Sequence, residues 1–181
     1  IDTIIFEGNP QQVGFFQSGG AAVGINSGIL ITCGNAESAA SANTSGSTST
    51  VYNTTNTTSP LNGIATGNVN DIAQYTIVFT PTSSTLSFNY VFGSEEYPEW
   101  VGSSFNDVFG FFISGPNSTG PFTNIALVPG TTTPVSINNV HAGSNATYYN
   151  SNTAGLHEYD GYTTVMTATA NVTPCQQYTI I

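Results

Sequence analysis

The sequence predicts an all-β fold: one antiparallel β-sandwich of jelly-roll character spanning residues 1–181. Three observations predict it. Apolar and polar residues alternate with period two, helical periodicity is almost absent, and Gly, Pro and Asn punctuate the chain every roughly eight to twelve residues. A chain of 181 residues suits one large β domain, and with 39% hydrophobic and 12% aromatic residues it can bury a sizeable core.

The elements follow in order. Short alternating runs at 3–7, 12–17 and 28–32 are the first strand candidates. The segment 35–60, "NAESAASANTSGSTSTVYNTTNTTSP", has little apolar periodicity and reads as one long surface excursion, because strands of the same character resume beyond it. In "IAQYTIVFT" (72–80), Ala73, Tyr75, Ile77 and Phe79 share a face; in "TLSFNYVFG" (85–93), Leu86, Phe88, Tyr90 and Phe92 do so. "TPTSS" (80–84) supplies a turn between them, so the pair is predicted to be a hairpin. Further strands are predicted at 107–114, 122–128, 134–138, 162–170 and 176–181.

Charge is the anomaly. The chain has ten acidic residues, no Lys and no Arg, and only 6% of its residues are charged, against about 25% in an ordinary soluble domain. A net charge of −10 with no cationic side chain argues against nucleic-acid partners and against attachment to anionic lipid. No Arg can clamp a phosphate and no Lys can form a Schiff base. The abundant diffusible partner that such a surface attracts is a cation.

No apolar run approaches the about 18 residues of a membrane span, so direct membrane insertion is not expected. The opening "IDTIIFEG" has no basic region or apolar core of a signal peptide, so an export signal is expected to have been removed or to lie outside this chain. Cys33 and Cys175 suit either one disulfide or two buried thiols. An acidic, Asn/Ser/Thr-rich chain reads as extracellular, which favours a Cys33–Cys175 disulfide joining an early and a late strand. Sequons at Asn43, Asn53, Asn56, Asn117, Asn145 and Asn171 are close to the roughly five that chance gives at this composition, so they do not argue for glycosylation.

Catalytic signals are weak. There is no GxSxG elbow, and "GGAAVG" (19–24) has neither the strand–helix setting nor the Lys of a phosphate loop. His157, in "GLHEYDGY" beside Glu158 and Asp160, offers a metal or acid–base cluster, but reads rather as a solvated residue of an acidic turn before the strand at 162, and His141 as part of a Gly/Asn-rich loop. The concentrated feature is "FGSEEYPEWVGSSFNDVFGFF" (92–112), where Glu95, Glu96, Glu99 and Asp107 fall within thirteen positions. Paired carboxylates could serve a glycosidase, but crowded acids without cations raise one another's pKa. Calcium resolves the repulsion better, since it takes six to eight oxygens from carboxylates, amides, carbonyls and water; Asn106, Ser94, Ser103 and Ser104 extend that supply.

The same residues carry a resemblance. "FNYVFGSEEYPEWVGSSFNDVFGFFISGP" (88–116), "NIALVPGTTTPVSINNV" (124–140) and the stretch from "YDGYTTVMTA" to "VTPCQQYTI" (159–180) resemble the choice-of-anchor L domain; "TIIFEGNPQQVGFF" and "GINSGILITCGN" resemble its N-terminal strands. The resemblance implies a non-enzymatic β domain of secreted and surface proteins of bacteria, used in display, adhesion or matrix. It aligns Glu95 and Glu96 with the family's paired acids, Asn106 and Asp107 with its Asn-Asp pair, and Asp71 with an Asp that introduces a strand. Relatives continue into a further strand, so residues 176–181 are expected to form a strand whose outer edge is free.

Together these readings predict an extracellular, calcium-stabilised structural and adhesive module without enzymatic activity. The expected calcium ligands are Glu95, Glu96 and Asp107, then Asn106 and Asp71, with Glu99 ranked lower. Trp100 and Tyr97 are the candidate contacts for a partner or glycan. Expected partners are other surface or matrix proteins, or copies of the chain joined by strand addition. A self-assembling filament subunit is the first alternative, and a glycan-binding or glycan-hydrolysing module the second.

Overall fold

Extended chain forms wherever the alternation is regular. In the computed structural model, which describes residues 1–116, 118 and 120–181, the first strands are Thr3–Glu7 (β1), Val13–Gln17 (β2), Ser27–Ile31 (β3), Gln74–Phe79 (β4), Thr85–Tyr90 (β5) and Gly93–Ser94 (β6). Phe112–Ser114 (β7), Thr123–Asn124 (β8), Tyr149–Ser151 (β9), Gly161–Thr163 (β10), Met166–Asn171 (β11) and Tyr178–Ile180 (β12) follow. Asn117, one of the sequon residues, lies outside the described residues, as does Thr119.

One layer is a five-stranded antiparallel sheet in the order β1-β4-β12-β7-β8. The other is a ribbon in which β5 pairs with β11 and, past a break, β6 pairs with β10, which also carries β9. Between the layers Phe79, Ile113, Tyr178 and Ile180 of the sheet pack with Leu86, Phe88, Ala170 and Val172 of the ribbon side. A second cluster joins Tyr90, Phe92, Met166 and Ala168 to Ala126, Val128, Val135, Ile137 and Val140. The last five have no exposed surface, although 125–140 holds only isolated bridges such as Val108–Ser136 and Leu127–Pro134. The strands predicted at 107–114, 122–128 and 134–138 are therefore mostly ladder-poor extended chain, partly because Pro134 has no N–H to give.

Two expectations about pairing are corrected. β4 and β5 are not a hairpin: β4 pairs with β1 and β12, while β5 pairs with β11. Both strands bury an apolar face, and a hairpin would set those faces side by side in one sheet. Crossing between layers sets Phe79 against Leu86 and Phe88 instead. The backbone of the crossing is satisfied by the late chain, with Cys175 N–H donating to Pro81 O (2.9 Å) and Val172 N–H to Ser84 O (3.0 Å). The second correction concerns 176–181. β12 is a central strand, flanked by β4 and β7, so its outer edge is not free.

The predicted disulfide is also absent, and both cysteines are free and exposed. Cys33 follows β3 beside Asp71, since Gln12 Nε2 donates to the carbonyls of both Cys33 (3.0 Å) and Asp71 (2.7 Å). Cys175 bonds at Pro81. The whole of β4 lies between Asp71 and Pro81, about 20 Å of strand, whereas a disulfide needs Cα atoms within about 7 Å.

The excursion 35–60 is tied down. It crosses one end of the sandwich through two short 3-10 turns, Ser38–Ala40 and Pro60–Gly63. Tyr52 N–H donates to Asp71 Oδ1 (2.9 Å), and Thr54 exchanges backbone and side-chain bonds with Ile72. Gln12 anchors the same region. It is fully buried, accepts from Asn9 N–H (2.6 Å) in a capping box, and holds the ends of two segments together.

Candidate acidic site at one end of the sandwich

The chain leaves β5 at Tyr90, pairs briefly through β6, and then turns at 95–100, while β10 arrives antiparallel from the 157–160 turn. This brings the two acidic stretches of the sequence to the same end. Glu95 lies within electrostatic reach of Asp160 and Glu158, and Glu96 within reach of Asp107 and Glu99. Asp71 enters the same field beside Cys33. Seven of the ten acidic side chains thus converge where no Lys or Arg exists.

Their environments differ. Glu158 is satisfied: Ser41 Oγ donates to Oε2 (2.8 Å) and Thr48 Oγ1 donates to Oε1, and these hydroxyls hold its carboxyl below the usual range. Asp160 Oδ1 accepts from Asn43 Nδ2 (2.6 Å), but Oδ2 is buried with no partner. Glu95 is the extreme case. Both of its oxygens are buried and make no hydrogen bond of good geometry. Burial, then Asp160 and Glu158, push its carboxyl up to about 7, opposed only by a weak approach of the Thr48 backbone N–H. Beside it, Asp107 accepts from Ser94 Oγ (2.7 Å) yet is raised by burial. Glu96 is raised by burial and then by Asp107.

A cavity of about 170 Å³ opens over Glu95 and Glu96, walled by residues 46–49 of the excursion and by Trp100. Gly46 closes against the acids: a Cβ there would lie 3.3 Å from Glu99 Oε1 and 3.5 Å from Asp160 Oδ2. Among the described residues, no three His, Cys, Asp or Glu side chains are grouped to hold a metal ion by themselves.

Of the predicted ligands, Glu95, Glu96 and Asp107 do come to one end. Asn106 is committed elsewhere, its amide donating to Thr66 Oγ1 (3.3 Å) and its oxygen accepting from Asn138 N–H (3.1 Å). Asp71, at φ +51°, spends Oδ1 on Tyr52. Of the predicted contact residues, Trp100 is 44% exposed and packs edge-on against exposed Phe105 with ring centroids 4.9 Å apart. Tyr97 is fully buried, its hydroxyl donating to Val140 O (2.6 Å), so it is a core residue and not a contact.

Sequence reasoning set Glu158 and Asp160 aside with His157 as an acidic turn, and did not connect them, or the polar residues 41–48 that meet them, with Glu95. The signal was present, since "HEYD" adds two acids to a chain without cations. His157 is not solvated, as predicted, but buried against Tyr162, and burial lowers its pKa.

Among the described residues, no helix is long and apolar enough to cross a membrane. Neither the curated proteins nor the solved structures contain a match to this chain. The choice-of-anchor L domain matches residues 2–181, and the chain therefore belongs to that family of bacterial surface-associated domains.

Proposed function

We propose that this domain is a non-enzymatic structural and adhesive module of a bacterial surface or secreted protein, stabilised by calcium. The observation that carries the calcium reading is the Glu95 carboxylate, buried with neither oxygen partnered and facing Asp160 in a chain without cations. Calcium, a hard cation that accepts only oxygen donors, matches this supply of carboxylates, carbonyls and hydroxyls. It converts mutual repulsion into coordination, which the folded state alone can offer. The adhesive contact is assigned to the exposed Trp100–Phe105 pair at the mouth of the same cavity, a surface suited to another surface protein or the face of a sugar ring.

Thermal melting in millimolar calcium against excess EGTA tests this. A ligand present at a hundredfold its dissociation constant stabilises by about 2.7 kcal/mol, or roughly 5–10 °C for a chain of this size. Equal melting temperatures would remove calcium from the proposal.

A second reading, assembly with copies of itself, no longer rests on β12. It is favoured by β1, an edge strand with Ile4 54% and Ile5 51% exposed, whose outer side can accept an added strand. Electron micrographs of concentrated protein, with Ile5→Lys as the comparison, decide it: filaments formed by the parent and lost in the variant support it, and monodisperse particles remove it.

A further inference from the structure

The 35–60 excursion is long, polar and poor in apolar anchors, yet its middle is fixed in place by a specific arrangement. Ser41 and Thr48 both donate to Glu158, and Asn43 donates to Asp160. The carboxylates at the end of the β10 turn therefore hold both ends of a strap, residues 41–49, and the strap lies over Glu95. The oxygens left over are Glu95 Oε1, Glu95 Oε2 and Asp160 Oδ2, all buried and all without a partner. Burying two such carboxylates beneath a strap that supplies hydroxyls and carbonyls, but no cationic group, leaves a hole in the electrostatics that one cation fills.

We infer that a divalent cation of calcium's type binds between Glu95 and Asp160, and that this ion pins the 41–49 strap to the sandwich. The inference rests on the calcium reading above and gives it a ligand set different from the one the sequence suggested: Glu95 stays, Asp160 enters, and Glu96, Asp107, Asn106 and Asp71 leave. Glu95 offers two oxygens and Asp160 one. Carbonyls and hydroxyls of residues 46–49, together with water, complete a shell of six to eight oxygens. Glu158 and Glu99 add negative charge nearby without giving up their places. Asp160 has a double role: one oxygen holds Asn43 of the strap and the other faces the ion site, so ion binding and strap docking are coupled through a single carboxylate. Without the ion, repulsion between Glu95 and Asp160 pushes apart the two elements that the strap must bridge. With it, the strap closes and forms one wall of the cavity beside Trp100.

The experiment uses the full 181-residue chain and two probes. Terbium luminescence, excited through Trp100 and displaced by calcium, reads binding. Amide hydrogen exchange of residues 41–49 reads the strap. Calcium should slow exchange across 41–49 at least tenfold in the parent. Asp160→Asn should abolish that protection and weaken terbium binding at least tenfold, and Asp107→Asn should keep both. In EGTA, Asp160→Asn should melt no lower than the parent, because it removes a charge from the cluster. If that variant fails to fold, Glu95→Gln carries the same expectations. A parent with no calcium response on either probe would overturn the calcium reading itself. A calcium-responsive parent whose response survives Asp160→Asn or Glu95→Gln but is lost in Asp107→Asn would overturn only this inference, and would move the ion to Glu96 and Asp107.

Discussion

Gly161 and Tyr97 stand in direct contact: a Cβ on Gly161 would fall 2.8 Å from the Cβ, Cγ and Cδ2 atoms of Tyr97. Gly161 begins β10, and Tyr97 is buried between the acidic turn and Val140, so this close approach sets the spacing between the two acidic stretches. Gly161→Ala is expected to cost about 1–3 kcal/mol by overpacking and to weaken calcium binding. Gly63→Ala, where a Cβ meets nothing within 4 Å, is the control and should be close to neutral. Chemical denaturation of both variants checks this.

Tyr97→Phe removes only the hydroxyl and leaves the Val140 carbonyl without its 2.6 Å bond. The expected loss is about 1–2 kcal/mol at an unchanged denaturant slope. A neutral result would show that Val140 O finds another donor.

In metal-free buffer, stability should fall as pH rises. The Glu95 carboxyl is raised to about 7 from its ordinary 4.5, so the folded state prefers the protonated form. Its contribution is full below pH 4.5 and is lost as pH climbs through about 7. After allowance for solvent screening, it amounts to about 1–2 kcal/mol. His157, lowered by burial, acts in the opposite sense, since its contribution is lost as pH falls below its ordinary 6.5. The decisive quantity is therefore the parent compared with Glu95→Gln, melted in EGTA at pH 5 and pH 8. The substitution should reduce the loss on raising pH, while Glu96 and Asp107, whose carboxyls are also raised, keep their share of it.

Two thiols should titrate in unreduced, denatured protein, and reductant should leave the melting temperature unchanged. Cys33 and Cys175 are separated by the length of β4. Cys33 keeps exposed surface, but the protein packed around its thiol displaces water and, with the Asp107 carboxylate, pushes the thiol up to about 11. Little thiolate therefore forms near neutral pH, and alkylation in the native state should be slow.

Trp100→Ala should lower stability by no more than about 1 kcal/mol, because its main packing partner is the exposed Phe105. It should abolish binding on a glycan array or to cell-surface protein. Unchanged binding would move the adhesive face elsewhere.

The sequence made the strands legible and their partners much less so. Alternation located β1, β2, β3 and β5 to within a residue or so at most of their ends, because successive side chains of extended chain turn to opposite sides and the period shows in the sequence even where, as in β1–β3, no residue is fully buried. It could not tell that β4 and β5 lie in different layers, since a turn rich in Pro and Ser serves a hairpin and a crossing equally well. It failed at 124–140, where chain buried on every side needs no alternation. Crowding in 95–107 picked out the end of the molecule at which the acidic side chains gather. The link from Glu95 to Asp160 was missed because Asp160 comes from more than fifty residues away, and only the pairing of β10 with β6 brings it alongside.

The place of β12 has a mechanical consequence. β1 and β12 both run antiparallel to β4, one on each side of it, and so run parallel to each other. Asp2 N–H is tied to Val78 O near one end of β4. Ile181, beyond Ile180 and its partner Ile77, is clamped to Phe112 by a reciprocal pair of bonds at 2.7 and 2.8 Å. Tension applied between residues 1 and 181 would therefore draw β1 and β12 along β4 in opposite directions. The ladders would be loaded in shear, all rungs at once, rather than peeled rung by rung, so a domain held at both ends would resist a steady pull through the cooperation of its central strands.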